Sequence, residues 1–373
     1  DIQTFKLLLL IKYKNDIQQL IVEENMKKWG KKIMLISELL EGRGGKCSEK
    51  IDMYPITMSL NITEYCNYNC AHCYEINNEN KAYLTTEQCR IIAGQARELG
   101  IITIVITGGE TLLNEDVYDI CTLFKEEGFR VILNTNGSLI SRKICQKLKM
   151  ARIDHVHLSL DGTKKIHNKI RNNVQAYDSV LNAIFLLKEY GIEPELLYTV
   201  NKLNLKDIDN VMELTKKLNV ELNVKRFIPK SNRKQDKLLL TEFEMNDIVN
   251  KIEKYVKGGR KILLDPCFNL KKGMSNFTNC MFNSNQITTI DAKGNVYICP
   301  YMQIEKFCIG NVFENPLKVI WDRYLIEKKY SFDQSMLIGN CSNCNQFENC
   351  SGGCRAYAYY IKGNYYESDV CEI

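Results

Sequence analysis

The sequence predicts an α/β fold, a partial, open (β/α)6 barrel of the TIM type followed by a cysteine-rich C-terminal segment. Three observations carry this expectation. Strand-like and helix-like stretches alternate six times between residues 55 and 257, and regular alternation implies parallel strands joined by right-handed crossovers. Six units fall two short of the eight in a closed barrel. After about residue 265 the alternation stops and cysteines return in tight groups. The expected organisation is a helical extension over 1–50, the barrel over 51–262 and a separate domain over 263–373.

The elements follow in order. Residues 13–43 read as helical, with Ile17, Leu20, Ile21 and Met26 as an irregular apolar stripe that "EGRGG" ends. "ITMSLNI" (56–62) reads as the first strand. Thr85 and Gln88 form a capping box for a helix running to Gly100. "IITIVITGGE" is a buried strand ending at a glycine pair, and Asn114 is expected to cap the helix that Gly128 closes. "RVILNTNG" and "HVHLSLDG" are the next strands, with "SRKICQKLKM" as the helix between them. A helix over about 177–190, the strand "ELLYTV", a helix over about 206–218, the strand "ELNVKRFI" and a helix over about 241–257 complete the series.

Composition narrows the function. The chain has 373 residues, 45% hydrophobic and 25% charged, with a net charge of +5 and no long basic block, so nucleic acid is not an expected partner. "FKLLLLI" (6–12) is too short to span a bilayer and lacks a small-residue cleavage site, so neither a membrane nor export is expected. The chain opens on Asp1, not Met, which leaves open a segment upstream. Sixteen cysteines in a long chain without an export signal favour a reducing cytoplasm and thiolates held by metal over a disulfide scaffold.

"YCNYNCAHCYE" places Cys66, Cys70 and Cys73 directly after the first strand. Iron–sulfur clusters are commonly held by four cysteine thiolates, so three leave one iron open to a ligand. A structural zinc site with a distant fourth ligand such as His72 is the alternative. In barrels of this kind the chemistry sits at the C-terminal ends of the strands. Those ends carry this loop, Gly108-Gly109-Glu110, Asn134–Gly137, Ser159–Gly162, Asn201 and Arg226. Cys89, Cys121 and Cys145 lie on apolar helix faces and read as core thiols.

The CxxxCxxC loop after the first strand resembles the signature of the radical S-adenosylmethionine (radical SAM) superfamily, over roughly 55–235. The resemblance implies a [4Fe–4S] cluster on Cys66, Cys70 and Cys73. Its open iron chelates S-adenosylmethionine, whose reductive cleavage gives methionine and a 5′-deoxyadenosyl radical that takes hydrogen from a substrate. By the same resemblance His72 and Tyr74 lie near adenine. Gly108, Gly109 and Glu110 hold the methionyl amino group, Asn136 contacts the ribose side, and Ser159 and Arg171 the carboxylate. From the residues alone, Arg171 also reads as a loop or cap arginine and Asp161 as a turn cap.

"CSNCNQFENCSGGC", with Cys371 beyond it and Cys280 and Cys299 upstream, resembles the SPASM domain and its two auxiliary [4Fe–4S] clusters, for three clusters in all. The resemblance assigns Cys341, Cys344, Cys350 and Cys371 to the outer cluster and Cys280, Cys299 and Cys354 to the inner one. The inner fourth ligand is left between Cys267, Cys308 and an open iron. Pro300 stands where sulfatase-maturing relatives carry a catalytic Asp. The resemblance therefore implies modification of a ribosomally made precursor peptide, by a thioether or carbon–carbon crosslink or by oxidation, with flavodoxin or ferredoxin as reductant. Residues 1–50 are too short and too helical for a leader-binding winged helix, which leaves a separate protein, an upstream segment or none for that role. A radical SAM dehydrogenase or epimerase of a small molecule, and an iron–sulfur electron carrier, are the other readings.

Overall fold

The computed structural model describes residues 54–73, 81–229, 233–259, 262–264, 285–327, 330, 333–345, 347 and 352–369. The expected N-terminal extension, Tyr74, Cys267, Cys280, Cys350 and Cys371 lie outside the described residues.

Six parallel strands form the centre: β1 (Thr57–Thr63), β2 (Thr103–Gly108), β3 (Arg130–Thr135), β4 (His155–Ser159), β5 (Glu193–Val200) and β6 (Glu221–Arg226). Each pairs with its successor in sequence. The connecting helices are α1 (Thr86–Leu99), α2 (Val117–Glu126), α3 (Arg142–Met150), the pair α4 (Lys164–Arg171) and α5 (Ala176–Glu189), and α6 (Ile208–Leu218); α7 (Glu242–Lys257) follows β6. Successive right-handed crossovers that always step in one direction put all these helices on one side of the sheet. The strands show it in their alternation. Met58, Leu60, Ile62, Ile104, Ile106, Val131, Leu133, Val156 and Leu158 are fully buried in the core shared with the helices. Ser59, Asn61, Asn134, His157 and Glu195 occupy alternate positions, on the opposite face.

The sheet is larger than six strands. β7 (Ile262–Leu264) adds in parallel to β6, and β8 (Ile287–Ile290) adds in parallel to β1. β9 (Asn295–Tyr297) and β10 (Cys308–Asn311) extend that edge antiparallel. The order is β10-β9-β8-β1-β2-β3-β4-β5-β6-β7, so among the described residues the sheet is open. Residues 262 and 263 both lie within β7, and the C-terminal segment shares the barrel's sheet. That segment also contributes α8 (Leu317–Glu327) and α9 (Arg355–Lys362). Gln95 on α1 joins it, donating to Val312 O at 3.0 Å and accepting from Leu317 N at 2.7 Å.

Local signals behave as their chemistry dictates, with one correction. Thr85 and Gln88 form both bonds of the capping box, and Gly100 closes α1 at φ 83°. Asn114 does not cap α2. The N-cap is Asp116, without a side-chain cap bond. The Asn114 amide is drawn inside instead, donating to Ile62 O and Leu84 O at 2.9 Å each, and so pins β1 to the approach of α1. Cys89, Cys121 and Cys145 are fully buried core thiols, and burial pushes Cys89 up to about 12.

Candidate functional site

The three-cysteine loop is held by the glycine pair of β2. At the end of β1 the register slips between Asn61 and Thr63, and Thr63 falls opposite Gly108. Gly109 N donates to Thr63 O at 2.8 Å and Glu110 N to Tyr65 O at 2.7 Å. A Cβ on Gly108 would meet Thr63 O at 2.2 Å, and one on Gly109 would meet Tyr65 O at 2.2 Å and Cys66 Cβ at 3.1 Å. Only glycine lets the two backbones lie this close. The "GGE" segment is thus a clamp that aims Cys66.

Glu110 completes the clamp from within. It is fully buried, and its carboxylate accepts from Thr135 Oγ1 at 2.6 Å, Asn136 N at 2.7 Å and Leu112 N at 3.2 Å. Burial raises its pKa, and these donors offset part of that rise. Three of roughly four acceptor positions on a carboxylate are therefore used inside the protein. Asn136 donates to Asn67 Oδ1 at 2.8 Å, tying the end of β3 to the cysteine loop. Ser159 ends β4 and is half-buried.

Sulfur-directed donors surround the thiols. Tyr68 N points at Cys66 Sγ at 3.4 Å, and Arg171 Nη1 at Cys70 Sγ at 3.7 Å. Burial, with the nearby Cys70 adding to it, pushes the Cys66 thiol up. The end of α4 docks on the same loop, because Ala71 N donates to Ile170 O at 2.8 Å. Behind it lies a buried charge cluster. Asp161, fully buried, pairs with Arg171 Nη2 at 2.6 Å and faces His72 Nε2 at 3.9 Å. Asp161 N donates to His167 Nδ1 at 2.9 Å, and Thr199 N to Asp161 Oδ1 at 3.1 Å. Asp161 is therefore an ion-pair partner and not a turn cap. Burial opposes its charge, but the Arg171 guanidinium leads the groups, the Thr199 N–H among them, that hold its carboxyl below the usual range. Burial lowers His72 to about 4 and His167 to about 3, so both rings are neutral at ordinary pH.

Among the described residues, no three Cys, His, Asp or Glu side chains converge on one point. The donor set still suits an iron–sulfur cluster. Three thiols share one braced loop, and two of them receive N–H donors at sulfur. His72 Nδ1 and Arg171 Nε are buried beside that loop without partners, polar atoms that a bound group would satisfy.

A second polar feature was not singled out from the sequence. Asn134, His157 and Glu195 stand directly opposite one another on β3, β4 and β5. Asn134 Oδ1 lies 3.0 Å from His157 Nδ1, His157 Nε2 lies 3.4 Å from Glu195 Oε2, and Asn223 on β6 donates to Glu195 Oε1 at 3.0 Å. This chain crosses four strands on the face away from the helices, two residues below Asn136 and Ser159. Burial works against the Glu195 charge, but the His157 bond and charge, with Asn223 and Lys225, hold its carboxyl below the usual range. The available signal was the alternation itself: "HVHLS" and "EPELL" put polar residues at every second position of strands whose other face is apolar.

The C-terminal cysteines are held by polar bonds to the backbone. Cys354, nearly fully buried, caps α9 by accepting from Tyr357 N at 3.4 Å. Its own N–H donates to Asp369 Oδ2 at 2.7 Å. Asp369 in turn grips Arg226 at the end of β6, at 2.8 and 3.0 Å, and that guanidinium lies 3.7 Å over the Tyr357 ring. Gln334 donates to Cys341 O and Cys344 O, and Cys341 N donates to Ser368 Oγ. Cys299 is buried two residues beyond β9. The Cys308 thiol donates to Gly310 O at 3.4 Å.

Two family models match. Residues 60–215 match the radical SAM superfamily, and residues 280–345 match SPASM, an iron–sulfur cluster-binding domain. The chain carries a radical SAM domain and a SPASM domain. Among curated relatives of this radical SAM protein, the AdoMet-dependent heme synthase of Methanosarcina barkeri is 25% identical, over 84% of this chain and 95% of that protein. Mycofactocin maturase MftC of Mycolicibacterium smegmatis is 24% identical, over 82% of this chain and 79% of the maturase. The fold is that of Streptococcus suis SuiB bound to its precursor peptide SuiA, with a TM-score of 0.73 at 16% identity, over 100% of this chain and 88% of SuiB. No helix among the described residues is long and apolar enough to cross a membrane.

Proposed function

We propose that this radical SAM enzyme takes a hydrogen atom from a ribosomally made precursor peptide and leaves it crosslinked or oxidised. In this reading Cys66, Cys70 and Cys73 hold the cluster that binds S-adenosylmethionine, which together supply the 5′-deoxyadenosyl radical. Gly108, Gly109 and Glu110 clamp the loop that carries them. Glu110 acts mainly through Thr135 and Asn136, since most of its acceptor positions are filled within the protein. The SPASM segment supplies two auxiliary clusters on Cys280, Cys299, Cys341, Cys344, Cys350, Cys354 and Cys371, for about twelve irons per chain. The substrate lies against the polar face of β3–β6, where His157 and Glu195 orient it.

The observation that carries the peptide reading is the polar chain of Asn134, His157, Glu195 and Asn223 on that face. Its amides, imidazole and carboxylate are the donor and acceptor types that pair with peptide N–H and C=O groups. Likeness to a maturase over most of both chains supports the same substrate class. A second reading, a small-molecule substrate, is favoured by likeness to a heme synthase over nearly all of that relative.

The experiment is a mass-spectrometric assay of the peptide encoded beside the gene, deuterated at candidate carbons. The expected result is one 5′-deoxyadenosine per modification, carrying the deuterium. An unchanged peptide, with deuterium transferred from a metabolite instead, would establish the small-molecule reading.

A further inference from the structure

We propose that Arg171 is a positioning residue for the barrel cluster: clamped by Asp161, its guanidinium donates to Cys70 Sγ and sets the potential at which that cluster accepts an electron. The inference rests on the reading that Cys66, Cys70 and Cys73 hold the cluster. Resemblance points Arg171 toward the carboxylate of S-adenosylmethionine; its contacts with Cys70 and Asp161 point to this second task.

The geometry is built from both sides. Ile170, fully buried, anchors the last turn of α4, and its carbonyl takes Ala71 N at 2.8 Å, which fixes Cys70 and Ala71 against the helix end. Asn172 then turns the chain away in the left-handed region, at φ 50°. Arg171 itself is nearly fully buried. One arm of its fork, Nη2, is pinned at 2.6 Å by Asp161, which Thr199 N holds in turn. The other arm, Nη1, lies 3.7 Å from Cys70 Sγ. A planar guanidinium reaches two acceptors at once, which a lysine ammonium on a flexible stem does not reproduce.

The charge argument follows. Reduction adds one negative charge to a cluster and its thiolates. A donor and a buried cation beside one sulfur favour the reduced form, and hydrogen bonds to the sulfurs are among the determinants of cluster potential. Asp161 fixes the cation in place and keeps it from being an isolated buried charge. Removing the guanidinium therefore makes the cluster harder to reduce without removing a ligand.

The test is an anaerobic redox titration of the full reconstituted chain, without S-adenosylmethionine, followed by electron paramagnetic resonance. The barrel signal is the one missing from the variant with Cys66, Cys70 and Cys73 all changed to Ala. If that variant keeps every signal and all its iron, the underlying reading fails, independently of Arg171. With that reading intact, Arg171→Gln should keep its iron and lower the reduced-to-oxidised ratio about tenfold at fixed ambient potential, which is 59 mV for one electron. Arg171→Lys should fall between Gln and wild type, and it carries the test alone should the Gln variant lose iron. An unchanged midpoint overturns the proposal. So does a loss of S-adenosylmethionine affinity at unchanged midpoint, which would return Arg171 to the carboxylate.

Discussion

Arg226 and Asp369, 143 residues apart, form a fully buried two-pronged ion pair that joins the end of β6 to the backbone of Cys354. The same Asp369 oxygen takes both Arg226 Nη1 and Cys354 N–H. A single carboxylate thus couples the barrel rim to a cysteine proposed to hold the inner auxiliary cluster.

Changing Asp369 to Ala strands the Arg226 charge and orphans the Cys354 N–H. Breaking a buried pair by removing one partner costs about 3–5 kcal/mol. Urea unfolding of the full chain should show a loss of that order, with reduced iron. A variant with wild-type midpoint and iron would deny the coupling.

Gly109→Ala should disable the three-cysteine loop. The new Cβ would sit 2.2 Å from Tyr65 O, so the backbone must move and the Glu110 N–H bond to Tyr65 is lost. Overpacking of this kind costs about 1–3 kcal/mol or more. The expected outcome is a folded chain, by circular dichroism, that lacks about a third of its iron. Full iron and normal 5′-deoxyadenosine formation would show that the clamp is dispensable.

These two cases mark what the sequence makes legible. "TGGE" is legible only through its place at the end of the second barrel strand, since a glycine pair there is otherwise most often just a turn; strand–helix alternation is visible because both periods are local. Partnerships across long separations are not. Nothing in "KRFI" announces that Arg226 will meet Asp369, and nothing in "QITTI" says that β8 will pair with β1. Asn114 misleads for a related reason. A short polar side chain before an apolar helix suits a cap, but a closer pair of carbonyls at Ile62 and Leu84 claims it. His157 and Glu195 were hidden because period-two polarity also describes an ordinary solvated strand face; only the register placing them opposite one another makes a site.

His167 gives a pH signature. Burial first, then the Arg171 charge, lowers it to about 3. The unfolded ring has the ordinary value near 6.5 and takes up a proton that the folded ring refuses. The unfolded state therefore binds more protons in this window, so stability is complete above about pH 6.5 and is lost as pH falls toward about 3. Between about pH 7 and about pH 5, wild type should lose about 2 kcal/mol more than His167→Gln. Parallel urea titrations of the two proteins across that range check this, and parallel curves would mean that His167 titrates normally.

His157→Gln and Glu195→Gln should separate cleavage from product formation. Neither residue lies in the cysteine loop, so S-adenosylmethionine cleavage without substrate should stay within about twofold of wild type. Product per 5′-deoxyadenosine should fall about tenfold or more, on the scale of a lost orienting contact of 1.4 kcal/mol or greater. Coupling equal to wild type in both variants would place the substrate elsewhere.

The central claim is that the loop carrying Cys66, Cys70 and Cys73 generates the radical. The most direct test is 5′-deoxyadenosine formation by the reconstituted, dithionite-reduced chain, compared with a variant in which all three cysteines are Ala. The account predicts product from wild type and none from the variant, which should retain about two-thirds of the iron on its C-terminal cysteines. Sustained 5′-deoxyadenosine formation by the variant would contradict it.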